Sequence, residues 1–173
     1  GEIDKRFPKV MRRVGGYNLD EFVNKPFNLA KLVSGSEGTL AIILDITIKL
    51  FPIPSHKCMA LLHFDSLRDS FKAVPYINEH GPSAVETLDD VLLELGSQNP
   101  ALVSLMTWVK GNPKAVLIVE FDGESEEEML RGLHSMQADS RISSVSYHTH
   151  LAMSAKEQAE ILELRKAGLG IYY

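Results

Sequence analysis

The stretch Leu32-Val33-Ser34-Gly35-Ser36-Glu37-Gly38-Thr39-Leu40-Ala41-Ile42-Ile43 decides how this chain is read. Two glycines three apart flank Ser36-Glu37. The residues beyond them are almost continuously apolar as far as Phe51-Pro52-Ile53-Pro54. Without a Cβ at Gly35 or Gly38, the backbone can turn tightly and then enter a buried strand. The same bareness lets a ligand approach the main chain and take hydrogen bonds from it. The local residues leave both readings open: a structural turn before a core strand, or a cofactor contact.

Upstream of the loop, Asn28 is placed to cap a short helix over 28–33. Downstream, residues 39–50 read as a strand. Ile42, Leu44, Ile46 and Ile48 share one face, and Asp45, Thr47 and Lys49 the other. Pro52 and Pro54 cannot donate to a ladder and end it. The Pro-Ile-Pro-Ser segment therefore divides the chain into residues 1–54 and 55–173.

The second part alternates strands and helices. Residues 57–64 form a strand with Met59, Leu61 and His63 opposed to Cys58, Ala60, Leu62 and Phe64. A helix follows with Leu67, Phe71 and Val74 on one face, bent at Pro75 and stopped by Gly81-Pro82. A short strand over 83–86 leads to a helix over 89–95, ended by Gly96. Residues 97–112 are ambiguous and compatible with a further helix. Residues 115–121 are apolar on both faces apart from Glu120, so this strand is central. Ser125-x-x-Glu128 is a capping box whose helix buries Met129, Leu133 and Met136. A strand over 142–148 and a second capping box, Ser154-x-x-Glu157, with its helix through Lys166 complete the pattern. The fold class is α+β, an antiparallel or mixed sheet covered by helices.

Composition narrows the function. The 173 residues suit one domain or slightly more, and 45% are apolar. With a net charge of -5 and no basic stripe, nucleic acid is not an expected partner. No apolar run approaches the ~20 residues that cross a bilayer, so no transmembrane segment is expected. The single cysteine, Cys58, cannot form an internal disulfide and reads as a packed thiol. The expected location is the cytoplasm, peripheral membrane association included.

Other constellations are weak. His148-x-His150 puts two imidazoles on one strand face, with Glu157 or Asp139 as the nearest third group. An exposed polar face explains them, and no metal site is assigned. The acidic run from Glu124 to Glu128 sits at a helix start, where the dipole favours it. No nucleophile with paired histidine and carboxylate is recognisable, and the catalytic residues stay unidentified.

Family wording adds to this. Arg12-Arg13-Val14-Gly15-Gly16-Tyr17-Asn18-Leu19 precedes Asn28-Leu29-Ala30-Lys31-Leu32-Val33 and then Gly35-Ser36-Glu37-Gly38-Thr39-Leu40-Ala41. With Glu79-His80-Gly81-Pro82-Ser83-Ala84-Val85-Glu86 and Leu164-Arg165-Lys166-Ala167-Gly168-Leu169-Gly170, this order resembles the FAD-linked oxidases of the vanillyl-alcohol oxidase type. The neighbouring groups are glycolate oxidase, D-lactate dehydrogenase and D-2-hydroxyglutarate dehydrogenase. The paired arginines before Gly-Gly-Tyr-Asn-Leu-Asp are similar to large bacterial members with an iron–sulfur half downstream.

The resemblance implies an internal piece of a longer protein, inactive alone. Residues 1–54 would be the tail of an FAD-binding domain, and 55–173 an incomplete, ferredoxin-like substrate-cap domain. The parent's cofactor would be FAD, with an iron–sulfur cluster in a downstream domain. Its substrate would be a small D-2-hydroxy acid (D-2-hydroxyglutarate, D-lactate or glycolate) that gives a hydride to the flavin. The cofactor-binding residues implied are Glu37, Gly38, Thr39, Leu40, Ala41, Ile42 and Ile43, whose backbone would run beside the adenine–pyrophosphate part. Ala41 stands where glycine is commoner, which requires a negative φ or a wider gap. Arg12 falls four residues before the Gly-Tyr pair, where relatives carry a lysine or arginine; the resemblance implies a guanidinium that can hold a substrate carboxylate. Gly15 stands where relatives often have threonine. Electron acceptor and oligomeric state stay open. Two other readings remain: a non-catalytic docking module, and a related flavin enzyme with another substrate.

Overall fold

The computed structural model describes residues 1–10, 15–23 and 26–171. They fall into two units, Gly1–Phe51 and Pro52–Tyr173. The first unit holds three short helices among its described residues: α1 (Glu2–Arg6), α2 (Asp20–Val23) and α3 (Leu29–Val33). Asn28 caps α3 as its side chain predicts, its Oδ1 accepting from Ala30 N at 3.0 Å. The two helices before it carry no clear signal in the sequence.

The strand expected over 39–50 is not formed, and residues 41–54 carry no regular structure. The alternation is real, but a strand exists only as part of a ladder. Among the described residues the first unit offers no strand to pair with. Its apolar side chains are exposed as a result, Ile42 at 89% and Leu44 at 95%.

The second unit is built on two strands that are apolar on both faces. It contains β1 (His56–Phe64), α4 (Leu67–Asn78), β2 (Ala84–Asp89), α5 (Asp90–Gln98), β3 (Ala115–Gly123), α6 (Glu126–Gln137), α7 (Ser140–Ser143), β4 (His148–Ala152) and α8 (Ala155–Ile171). The four strands form an antiparallel sheet in the order β2-β3-β1-β4. β1 and β3 are the interior pair, registered from His56 opposite Gly123 to Phe64 opposite Ala115. Cys58, Ala60, Leu62 and Phe64 of β1, with Leu117, Val119 and Phe121 of β3, meet α4, α6 and α7. Met59, Leu61, Val116 and Ile118 point the other way, toward α5, α8 and a 3-10 turn at Val103–Met106. Each fully buried Leu, Ile or Phe contributes roughly 1.5–3 kcal/mol, so both helical layers are required.

Polar groups tie the layers together. Gln158 of α8 donates through Nε2 to the carbonyls of Lys57 (2.9 Å) and Ala152 (3.1 Å), joining the helix to β1 and β4. Buried Glu120 is neutralised by Lys57, diagonally across the β1–β3 ladder. Arg165 of α8 pairs with Glu86 of β2.

Several expectations are corrected. The core face of α4 is Ser70, Ala73 and Ile77, while Leu67 and Phe71 are exposed. Small residues, not large ones, permit close contact of this helix with the sheet. Gly96 does not end α5, which runs on to Gln98; a Cβ there would lie 3.1 Å from Met106 Sδ, so glycine serves close packing. Residues 142–148 are not a strand: α7 occupies 140–143, capped by Asp139, and β4 begins only at His148. α8 runs beyond Lys166 to Ile171 and takes in Gly168 and Gly170. Each capping box is half formed. Ser125 and Ser154 accept from the backbone as expected, but Glu128 bonds Glu124 N and Glu157 turns to His150.

Gly132 on α6 is the tightest approach of helix to sheet. A Cβ there would lie 2.7 Å from the Phe121 ring and 3.1 Å from the His80 carbonyl. Gly132→Ala gains helix propensity of about 1 kcal/mol. Overpacking against a ring and a main-chain atom costs more, typically about 1–3 kcal/mol. The expected outcome is a lower urea midpoint; a raised one would show that α6 shifts freely.

Candidate functional site

The glycine-flanked loop at 35–39 is a defined structure in the first unit. α3 ends at Ser34, and Gly35 (φ +84°) enters the left-handed region. Ser36 is buried, and Ser36 N donates to Val33 O. Glu37 (φ +52°) and Gly38 (φ +76°) continue left-handed. Glu37 is the only non-glycine residue at positive φ among those described. Such a conformation costs on the order of 1 kcal/mol and persists only where neighbours enforce it. Ala41 does not have positive φ, which is the condition its side chain required.

Those neighbours come from the Gly-Gly-Tyr-Asn segment. The Tyr17 hydroxyl lies 2.8 Å from Thr39 Oγ1, and Thr39 Oγ1 donates to Ser36 O at 2.6 Å. Asn18 Nδ2 donates to the carbonyls of Lys31 (3.2 Å) and Ser34 (2.9 Å), gripping the end of α3. Lys31 also pairs with Glu21 at 2.6 Å.

The loop is open on its other side. A Cβ at Gly38 would meet no atom within 4 Å. Among the described residues, Glu37 N and Gly38 N have no internal acceptor. A bare, preset main chain with donors to spare is the kind of wall a large dinucleotide cofactor uses. Such donors are present at Glu37 and Gly38, whereas Thr39 N is already bonded to Ser36 O. Leu40, Ile42 and Ile43 are exposed. Arg12 lies outside the described residues.

The second unit carries two histidine groups. His63, His148 and His150 share the sheet face of Met59 and Leu61. His63 is fully buried; its Nδ1–H donates to Leu61 O (3.1 Å) and its Nε2 accepts from Lys110 N (3.3 Å). Both ring nitrogens are thereby used, so the ring is held neutral and is no metal ligand. Rings of His148 and Trp108 pack edge-on against it. His150 donates through Nε2 to Glu157 at 2.7 Å. Among the described residues no three His, Cys, Asp or Glu groups are arranged to hold a metal ion. Cys58 is buried, and burial pushes its thiol pKa up.

The other group was not legible in the sequence. Ser135 Oγ lies 2.8 Å from His80 Nδ1, and His80 Nε2 lies 3.1 Å from Asp139 Oδ2. The three residues are up to 59 positions apart, so only the fold aligns them. The order is that of a hydrolytic triad, but Asp139 is engaged elsewhere. Its carboxylate bonds Arg141 Nε and Nη2 and caps α7, and Arg141 reaches on to Glu79. Arg141 holds the Asp139 pKa far below the usual carboxylate range. The group clasps the ends of α4, α6 and α7.

The family model for the C-terminal domain of FAD linked oxidases matches residues 53–171. The chain belongs to this FAD-linked oxidase family. The D-2-hydroxyglutarate dehydrogenase of Pseudomonas putida is 25% identical over 98% of the chain, and that of Haemophilus influenzae 30% over 75%. The D-lactate dehydrogenase of Anaerostipes hadrus is 30% identical over 75%. The chain spans only 18%, 13% and 26% of the length of these relatives. The FAD-linked oxidase match covers the two-faced sheet and its helices, while the loop at 35–39 precedes it. No helix among the described residues is long and apolar enough to cross a membrane.

His63 gives a pH test of the second unit. Burial, opposed by its bond to Leu61, lowers its pKa from 6.5 to about 4. Between these values the unfolded chain takes up a proton that the folded one refuses. Stability is therefore full above pH 6.5 and is lost as pH falls toward 4, by on the order of 2–3 kcal/mol. His63→Leu should be less stable at pH 8 yet show a shallower decline of urea midpoint between about pH 6.5 and 4. Parallel declines in both proteins would assign the titration to another group.

Proposed function

We propose that this chain is an internal segment of an FAD-dependent dehydrogenase that oxidises a small D-2-hydroxy acid. Residues 1–54 are its contribution to the flavin-binding part, and residues 55–173 most of a substrate cap. The observation that carries the reading is the left-handed loop at Gly35–Gly38, open on one side and braced on the other. Family membership and the names of the relatives support it, and their far greater length supports a missing remainder. D-2-hydroxyglutarate and D-lactate are the favoured substrates. An iron–sulfur centre in the remainder is the proposed electron acceptor, and the cytoplasm, or the membrane periphery, the proposed location.

FAD, when bound, supplies the hydride acceptor. The chain's own share is position. Main-chain groups of Glu37, Gly38, Thr39, Leu40, Ala41, Ile42 and Ile43 would hold the cofactor, the turn at 36–39 being set before it arrives. Arg12 holds the substrate carboxylate as a bidentate ion pair.

Purified alone, the 173-residue chain should carry no stoichiometric flavin, because one wall of a site retains little of its affinity. In the longer flavoprotein, Gly38→Val should abolish flavin retention, since a β-branched residue cannot hold φ +76° and would fill the open side. A normal flavin absorption band in that variant would reduce the loop to a structural turn. Arg12→Ala should leave flavin content intact and lower kcat/KM on 2-hydroxy acids by roughly 2–4 kcal/mol in transition-state free energy. Kinetics within twofold of the parent would remove Arg12 from the site.

A further inference from the structure

The geometry points to Tyr17 as a positioning residue that aims the main chain of the Glu37–Gly38 turn at the flavin, acting through Thr39. The inference rests on the flavin-wall reading proposed above and assigns it a mechanism.

The direction of the hydrogen bonds can be worked out. Thr39 has one hydroxyl proton, and it goes to Ser36 O at 2.6 Å. The 2.8 Å contact between Tyr17 and Thr39 must then be donated by the phenol. The chain runs from Tyr17 O–H to Thr39 Oγ1–H to Ser36 O. Ser36 O also accepts from Thr39 N at 3.0 Å, so both its lone pairs are engaged.

A carbonyl held twice cannot rotate. The peptide bond from Ser36 to Glu37 is planar and trans, so fixing its C=O fixes Glu37 N–H in the opposite direction. Among the described residues that N–H has no internal acceptor, so it is free to meet a ligand. Asn18 grips Lys31 O and Ser34 O, so the chain entering the turn is anchored as well. Without the hydroxyl pair, only the Thr39 N bond holds this carbonyl, and the peptide is freer to rotate. Tyr17 is itself 42% exposed and adds little to any core, which separates its role from packing.

The test uses the longer flavoprotein, with the flavin dissociation constant as readout. Tyr17→Phe removes the outer bond and Thr39→Val removes both, and each should weaken FAD binding about three- to tenfold, the scale of a net hydrogen-bond contribution. The double variant should be no weaker than either single, since both break one relay. Thr39→Ser keeps the hydroxyl and should restore near-parental affinity. In Tyr17→Phe, KM for the hydroxy acid at saturating FAD should stay unchanged. In the 173-residue chain itself, Tyr17→Phe should speed hydrogen exchange at Thr39 N–H without lowering the global urea midpoint.

Loss of flavin in Gly38→Val alongside parental binding in Tyr17→Phe and Thr39→Val would overturn the relay and keep the wall. Parental binding in Gly38→Val would overturn the wall and, with it, this role for Tyr17. Additive losses in the double variant would show two separate effects rather than a relay.

Discussion

Everything in the second unit depends on β1 and β3 being unable to show either face to water. Side chains alternate across a strand, so an unbroken apolar run demands cover on both sides. From Cys58 to Phe64 and from Ala115 to Phe121 every residue is buried. One helical layer would leave half of these in water, at a cost that the unit's whole stability could not absorb. The helices on the two sides are thus consequences of one sheet. The few polar intrusions, Glu120 and His63, each meet a partner that makes burial tolerable.

The first unit is organised differently. It has little core, and its order comes from side-chain hydrogen bonds to main-chain atoms. Asn18 and Asn28 satisfy backbone atoms at the end and the start of α3, and Thr39 the Ser36 carbonyl of the turn beyond it. Such bonds are modest singly, but they act on few degrees of freedom. A loop shaped this way can keep its polar edge bare, which a packed core cannot.

The sequence is most readable where one physical demand dominates. β3 is recognisable because Val116, Leu117, Ile118 and Val119 leave no polar face. α6 is recognisable because Ser125 caps it and Met129, Leu133 and Met136 recur at helical spacing. Reading fails where partners decide. The alternation from Ile42 to Ile48 has the right period, but pairing lies between segments and not within one. α4 misleads because Leu67 and Phe71 outweigh Ser70 and Ala73 in hydrophobicity, while closeness to the sheet selects small side chains. Of the candidate site, the loop and its glycines are legible. The part played by Tyr17 is hidden, because a contact 22 residues away leaves no local trace. The clasp of Ser135, His80 and Asp139 is hidden for the same reason.

The exposed run from Ile42 to Ile53 has a consequence for how this chain behaves in solution. Ile42, Leu44, Ile46, Ile48 and Leu50 stand outward at two-residue intervals, with β-branched residues predominating. Such segments stack edge to edge with copies of themselves and seed cross-β aggregates. Asp45 and Lys49 interrupt the stacking as gatekeepers, and Pro52 and Pro54 bar it from spreading toward β1. Taken by itself, the chain therefore carries a segment with the composition of an aggregation-prone strand that contributes almost nothing to its own core.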